Sequence, residues 1–217
     1  MLGIPCPCLA NTEMNERALT ELIKNRRTRK PSTYSSSVPN GIISKLIDSA
    51  RHAPNHHRTE PARFYLLDRK RILKLAKLFG ETLRGDGSNP SLIEKARKKE
   101  KDWGTAHGLL VITSYTDKDS ALVRKNPTVL EENFATACCI TQNLLLLFES
   151  SKISAKWSTG AAWKHPQFAS TIGIKHPAHE KFVAFIFYGY SEWTEEVRNL
   201  SPLENHLINY AHSSSDF

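Results

Sequence analysis

Residues 128–151 carry the pattern that any fold of this chain must accommodate. Phe134, Ala137, Cys138, Thr141, Leu144, Leu145 and Phe148 recur at helical spacing, and further apolar residues fill the rest of the circumference. A helix that is apolar all round cannot lie on a solvated surface. Either the remaining chain wraps it as a core helix, or a second subunit covers it at a dimer interface. The 217 residues suffice for one domain with a real core. Hydrophobic residues at 40% and charged residues at 24% are ordinary for a soluble protein.

The surrounding patterns are those of alternating helices and strands. Met14, Ala18, Leu19, Leu22 and Ile23 share one stripe and predict a helix over 13–25, capped by Thr12. Residues 1–12 then read as a flexible tail, and 13–217 as one domain. Pro39 can start a second helix, with Ile42, Ile43, Leu46, Ile47 and Ala50 inward, and Pro54 ends it. Residues 63–67 read as a strand, after which Asp68 can cap a basic helix bearing Ile72, Leu75, Ala76 and Phe79. Asn89 and Pro90 open a charged helix to about residue 101, expected on the surface. Residues 108–115 form a buried strand, 117–126 a polar connection, and 153–157 and 181–188 two further strands. His165 and Pro166 open a small helix that stops near Gly173. The segment 192–217 has no core-building pattern, although Leu203, Leu207, Ile208 and Tyr210 can cover a partner subunit. Four strands interspersed with helices define an α+β class. No GxGxxG follows a strand and no Walker motif occurs, so neither a dinucleotide fold nor a P-loop is supported.

Cysteines and charge narrow the chemistry. Cys6, Cys8, Cys138 and Cys139 lack the spacing of a zinc site, and no metal is expected. Residues 1–8 lack the basic start and apolar length of a secretory signal, and the apolar run 143–148 is too short for a bilayer, giving a cytoplasmic expectation without a membrane. The net charge of +8 suits an anionic ligand or nucleic acid. Much of it lies over 69–77 and 95–101, beside helical apolar spacing and without interleaved aromatics for base stacking. Nucleic-acid binding is therefore the lesser alternative.

A denser cluster stands at the end of the first helix: Arg26, Arg27, Thr28, Arg29 and Lys30, stopped by Pro31. Guanidinium forks and a threonine hydroxyl can hold a phosphate by charge-assisted hydrogen bonds, although a solvated surface would use the same residues. The turn over 53–61, APNHHRTEP, falls where the second helix ends and the first strand begins.

In order and spacing the chain resembles the FMN-dependent nitroreductases, in particular their compact bacterial NAD(P)H nitroreductase subgroup. The resemblance rests on Arg26, Arg27 and Thr28 at a helix end, and on Ala53 and Pro54 followed by Pro61 and an aromatic strand. It rests further on Glu132 ahead of Gln142 and Asn143, on KWSTG over 156–160, and on a strand ending at Gly189. It implies a nitroreductase-like α+β fold: a central mixed, mainly antiparallel sheet flanked by helices, with the long helix at the dimer interface of a homodimer. It also implies two FMN molecules, each touched by both subunits. Arg26 and Thr28 would hold the phosphate, with Arg27 in the same loop and Arg198 reaching it from the late chain. Lys30 would lie near the flavin N1 and O2 edge, where a cation stabilises the negative charge of the reduced ring. His56 and Glu60 would touch the flavin from the other subunit, while Trp157, Ser158 and Thr159 cover one ring face and the ribityl chain. NADH or NADPH would deliver hydride and leave, and a nitroaromatic or quinone acceptor would come next in ping-pong order. The cofactor carries that chemistry, so no catalytic side chain is named.

Three features depart from the family pattern. The usual Gln-Pro-Trp ending of the turn is Glu60, Pro61, Ala62 here, Arg58 stands where asparagine or serine is frequent, and SKISAK over 151–156 replaces a glycine-rich approach. A carboxylate at Glu60 would disfavour an anionic reduced flavin unless Arg58 or Lys30 paired with it. A non-catalytic FMN-binding protein of the same fold is the alternative that these departures keep open.

Overall fold

The computed structural model describes residues 7–192 and 198–208. Four strands, β1 (Ala62–Leu66), β2 (Gly108–Tyr115), β3 (Ser154–Ser158) and β4 (Glu180–Gly189), form one sheet in the order β1-β2-β4-β3. Every strand pairing is antiparallel. The mixed character expected of the sheet reduces, among the described residues, to one parallel bridge between Thr28 and Ala155 at the outer edge of β3. The inner strands β2 and β4 are buried on both faces, which is why they read as continuous apolar runs, while β1 is half-buried throughout.

The helices are α1 (Pro7–Asn25), α2 (Asn40–Ala50), α3 (Arg69–Arg84), α4 (Pro90–Gly104), α5 (Ala121–Lys125), α6 (Val129–Ser150) and α7 (Phe168–Ile172). Strand alternation divides the core in two. Leu110, Ile112, Ala184 and Ile186 pack with α2 and α6 on one face. Leu109, Val111, Phe185 and Phe187 pack with α3, α7 and Trp103 on the other. Asp68 caps α3 by accepting from the Arg71 amide at 2.8 Å, and Asn89 caps α4 by accepting from the Ser91 amide at 3.0 Å. Gly173, in the left-handed region at φ 88°, ends α7.

Several expectations change. α1 begins at Pro7, so residues 7–12 are helical rather than tail; proline suits a first helical position, and neither glycine nor a second proline interrupts residues 8–25. α4, expected on the surface, buries Ala96 and Trp103. Its charged face conceals the aromatic centre of one core, where Trp103 meets Phe79, Phe185 and Phe187 at centroid distances of 4.3, 4.9 and 4.9 Å. The polar connection contains α5, capped by the Ser120 hydroxyl.

The long helix α6 is not enclosed by its own chain. Ala137, Thr141, Leu144, Leu145 and Phe148 are buried, but Phe134 and Cys138 are only half-buried. Glu131, Ala135, Cys139 and Gln142 form an exposed stripe along it. α1 touches α6, and its expected inner residues Leu19 and Ile23 are 53% and 52% exposed.

One close approach inside the sheet yields a stability prediction. Gly108 pairs with Tyr188, whose ring occupies the space that a Cβ at Gly108 would need. Gly108→Ala should cost about 1–3 kcal/mol in urea unfolding through overpacking. Gly41→Ala in α2, with nothing within 4 Å of the added atom, should instead stabilise by about 0.5–1 kcal/mol. Equal effects of the two substitutions would contradict the packing described.

Candidate functional site

The basic run leaves α1 and lies along the outer edge of β3. The Arg29 amide donates to the Ala155 carbonyl at 3.1 Å, and the Arg29 carbonyl accepts from the Tyr34 hydroxyl at 2.9 Å. Alternate side chains of an extended segment point opposite ways. Thr28 and Lys30 are exposed, whereas the Arg29 side chain turns inward to 10% exposure. There its guanidinium meets Glu149 of α6, a carboxylate 4% exposed, at 3.3 Å. Arg27 turns back and donates to the carbonyls of Lys24 and Arg26, closing the C-terminus of α1.

Electrostatics link further groups to this edge. Burial lowers the pKa of Arg26, the Glu149 carboxylate opposes that shift, and Arg198, Arg27 and Arg29 add to it. The exposed Arg198 is therefore close enough to repel the Arg26 charge. Burial raises the Glu149 carboxyl, with Arg29, Arg26 and Lys152 pulling the other way. Lys156 is lowered by burial, raised by Asp102, and lowered further by Lys99 and Lys30, so Lys30 shares its surroundings with a second lysine. Trp157 is half-buried against the α6 core, the Ser158 hydroxyl accepts from the Gly160 amide at 3.4 Å, and Thr159 is exposed. Arg26, Thr28, Lys30 and the segment 157–159 thus lie about the β3 edge, with Arg198 within electrostatic reach of Arg26.

The second predicted stretch lies elsewhere. His56–Arg58 form a 3-10 turn, and His57, Arg58 and Glu60 hold left-handed φ values of 58°, 53° and 45°. Such conformations are costly for residues with a Cβ and persist only when the surroundings impose them. Here α6 imposes them. Thr136 donates to the Pro54 carbonyl at 3.0 Å, and Asn143 donates to the Ala50 carbonyl at 3.2 Å. The Thr59 hydroxyl donates to Asn133 Oδ1 at 2.5 Å, and Asn133 Nδ2 donates to the Thr116 hydroxyl at 2.8 Å. His56 Nδ1 lies 3.1 Å from Glu132 Oε2. Glu60 does not pair with Arg58 or Lys30: its carboxylate is 3.0 Å from Arg51 at the end of α2, and its carbonyl accepts from Arg63 at 2.8 Å. A cavity of about 450 Å³ opens beside it, lined by Ile47, Arg51, His52, Asn55 and Phe64.

The structure brings each stretch together internally but keeps the two apart. Glu132, beside His56, and Glu149, beside Arg29, stand near opposite ends of α6, about 25 Å apart along the helix axis. That separation exceeds the length of a mononucleotide.

Two clusters of potential metal ligands occur among the described residues. The His56 and His57 rings stack at 4.0 Å with planes 12° apart, and His56 Nδ1 already meets Glu132 at 3.1 Å. In the cluster of Asp117, Asp119 and His179, the His179 Nδ1 already accepts from the Lys118 amide at 3.1 Å. Neither is assigned a metal. A separate cavity of about 580 Å³ is lined by Trp163, Phe168, Glu180 and Phe182, and none of the predicted site residues borders it.

An antiparallel sheet between two helical layers, with a cationic edge at one end of a central helix and a strained turn at the other, defines the α+β class of this chain, and residues 23–190 match the model of the nitroreductase family. The chain belongs to that family. It is similar to a Bacillus subtilis protein named "Putative NAD(P)H nitroreductase YfhC", with 26% identity over 189 residues, 86% of this chain and 91% of that protein. Among solved structures, a nitroreductase-like family protein from Bacillus cereus matches with a TM-score of 0.70 and 21% identity, covering 89% of this chain and 96% of its own. A Bacteroides fragilis nitroreductase with bound FMN matches with a TM-score of 0.66 and 14% identity, covering 88% and 97%. These structural likenesses establish the fold.

Glu149, Asn133 and Arg51 escaped the sequence reading, and two of them left signals. A carboxylate in the last turn of a helix opposes the macrodipole, so Glu149 needed a cation to explain it. Asn133 is a polar residue on the inner side of an apolar helix, 2% exposed, and so needed hydrogen-bond partners. Arg51 gave no comparable signal. Asn133→Ala should destabilise the protein by about 1–3 kcal/mol, because it removes the contacts to Thr59 and Thr116 together. Urea unfolding measures this, and a change within experimental error would show that the turn is held by other means.

Proposed function

We propose that this protein is an FMN-dependent oxidoreductase that uses NADH or NADPH to reduce nitroaromatic, quinone or related acceptors, and that it acts as a homodimer with a flavin at each subunit boundary. The observation that carries the proposal is the separation of the two predicted half-sites along α6, which a second subunit can resolve by placing its turn against the first subunit's sheet edge. The exposed Ala135 and Cys139 of α6, together with the exposed Leu19 and Ile23 of α1, which touches α6, supply apolar surface for that partner, and Glu131 and Gln142 add polar groups. Leu203 and Leu207, 66% and 56% exposed, add late-chain apolar surface.

The residues present fit FMN. Two guanidiniums, Arg26 and Arg198, with the exposed Thr28 hydroxyl between strand edge and solvent, match the charge and acceptor oxygens of a phosphate monoester. Arg27 serves the loop, its guanidinium being engaged with the Lys24 and Arg26 carbonyls. Lys30, reinforced by Lys156, supplies positive potential for the pyrimidine edge of the ring. Trp157, Ser158 and Thr159 line the same edge, and His56 and Glu60 come from the other subunit. The Arg51 contact offsets the charge of Glu60, which favours turnover over a non-catalytic flavin carrier. When bound, FMN supplies the two-electron chemistry between nicotinamide and acceptor, so the chain's residues bind and orient without an assigned acid or base. No helix among the described residues is long and apolar enough to cross a membrane, and the cytoplasm, where NADH and NADPH are available, is the proposed compartment.

The purified protein should be yellow and should bleach anaerobically with NADH or NADPH. Colour without bleaching would indicate the non-catalytic carrier, and a colourless protein that takes up no added FMN would overturn the proposal. Arg26→Ala should weaken FMN retention by about 1.5–3 kcal/mol, the worth of a hydrogen bond to a charged group; unchanged flavin content after dialysis would remove Arg26 from the phosphate site. Glu60→Gln should raise the flavin reduction potential by removing negative charge beside the ring. A potential equal to wild type in redox titration would place Glu60 away from it.

A further inference from the structure

Glu149 is a buried titratable group that the proposed reaction does not use. It lies in the last turn of α6, where the helix dipole disfavours a carboxylate, and it is 4% exposed. Its Oε2 meets Arg29 at 3.3 Å, and its Oε1 has no hydrogen-bond partner among the described residues. A buried carboxylate of this kind is held in place only because a cation answers it.

That cation sits in the middle of the phosphate grip. Residues 26–30 offer four cations in five positions, and an extended segment that slips by one residue exchanges every inward side chain for an outward one. Burying Lys30 in place of Arg29 would turn Arg29 out and point Thr28 away from its present side. Contacts of Arg29 that specify the observed register include its amide to Ala155 at 3.1 Å, its carbonyl to Tyr34 at 2.9 Å, and its guanidinium to Glu149. Of these, only the last distinguishes a guanidinium from any other side chain, because every residue but proline carries the backbone groups.

We propose that Glu149 is the positioning residue of the phosphate grip: by holding Arg29 inside the fold, it sets the register in which Arg26 and Thr28 are presented together to the FMN phosphate. Arg29 is then a structural anchor and not a phosphate ligand. The inference rests on the FMN reading given above. It extends that reading by placing the selectivity for a phosphorylated flavin partly in a residue that does not touch the ligand.

The test compares FMN with riboflavin, which shares the ring and ribityl chain but lacks the phosphate. In apoprotein titrations monitored by flavin fluorescence, Glu149→Gln should raise the Kd for FMN by on the order of ten-fold or more, the equivalent of one charge-assisted contact misplaced. The Kd for riboflavin should stay near its wild-type value. A neutral amide pair, Arg29→Gln with Glu149→Gln, retains a hydrogen bond without buried charge and should recover most of the FMN affinity. The pair also carries the test if the single variant does not fold, since a double variant that folds and still loses FMN affinity would overturn the proposal. Unchanged or tighter FMN binding by Glu149→Gln, or equal losses for both flavins, would overturn it as well. If the wild-type apoprotein itself binds neither flavin, it is the FMN reading that fails, and the two failures are thereby distinguished.

Discussion

The ion pair between Arg29 and Glu149 joins segments 120 residues apart in the chain. It ties the segment leaving α1 to the end of α6, and through the Arg29 backbone it fixes that segment against β3 and Tyr34. Burial of two charges has a desolvation cost that good geometry only partly offsets, so such a pair is weak grounds for stability. Its value here is specificity. Of four neighbouring cations, Arg29 is drawn inward to Glu149, Arg26 stays half-buried, Arg27 closes a helix and Lys30 faces solvent.

α6 acts as a template at both ends. Near its start, Glu132, Asn133 and Thr136 hold a turn whose residues His57, Arg58 and Glu60 occupy left-handed conformations. Near its end, Glu149 holds the cationic edge. The intervening helix covers one face of the sheet, so the turn and the cationic edge stay apart within one chain. Between them α6 exposes Glu131, Ala135, Cys139 and Gln142, a mixed polar and small-residue stripe open to a two-fold partner.

Much of this was legible in the sequence because period and composition report burial directly. The strand over 108–115 is apolar at nearly every position since both faces are covered, and the caps at Asp68 and Asn89 are visible as residue types that satisfy free amides. The basic run and the turn were legible as pieces, and the family resemblance ordered them. What stayed hidden depends on contacts between residues far apart in the chain. Arg29 looks like any other cation of its run until Glu149 is placed beside it, and the partner of Glu60 proved to be Arg51 because α2 ends before the turn. Trp103 was hidden by the lysines around it, since a charged helix with one large aromatic at its end gives no strong period.

In the proposed dimer, one flavin site is assembled from two chains, with Arg26 from one and the His56 turn from the other. Co-expression of an Arg26→Ala chain with a His56→Ala chain, each carrying a different affinity tag, tests it directly. Each variant alone should hold little FMN, whereas doubly purified mixed dimers should regain one intact site per dimer, seen as flavin absorbance. Mixed dimers that hold no more flavin than either parent would contradict the assembly across subunits.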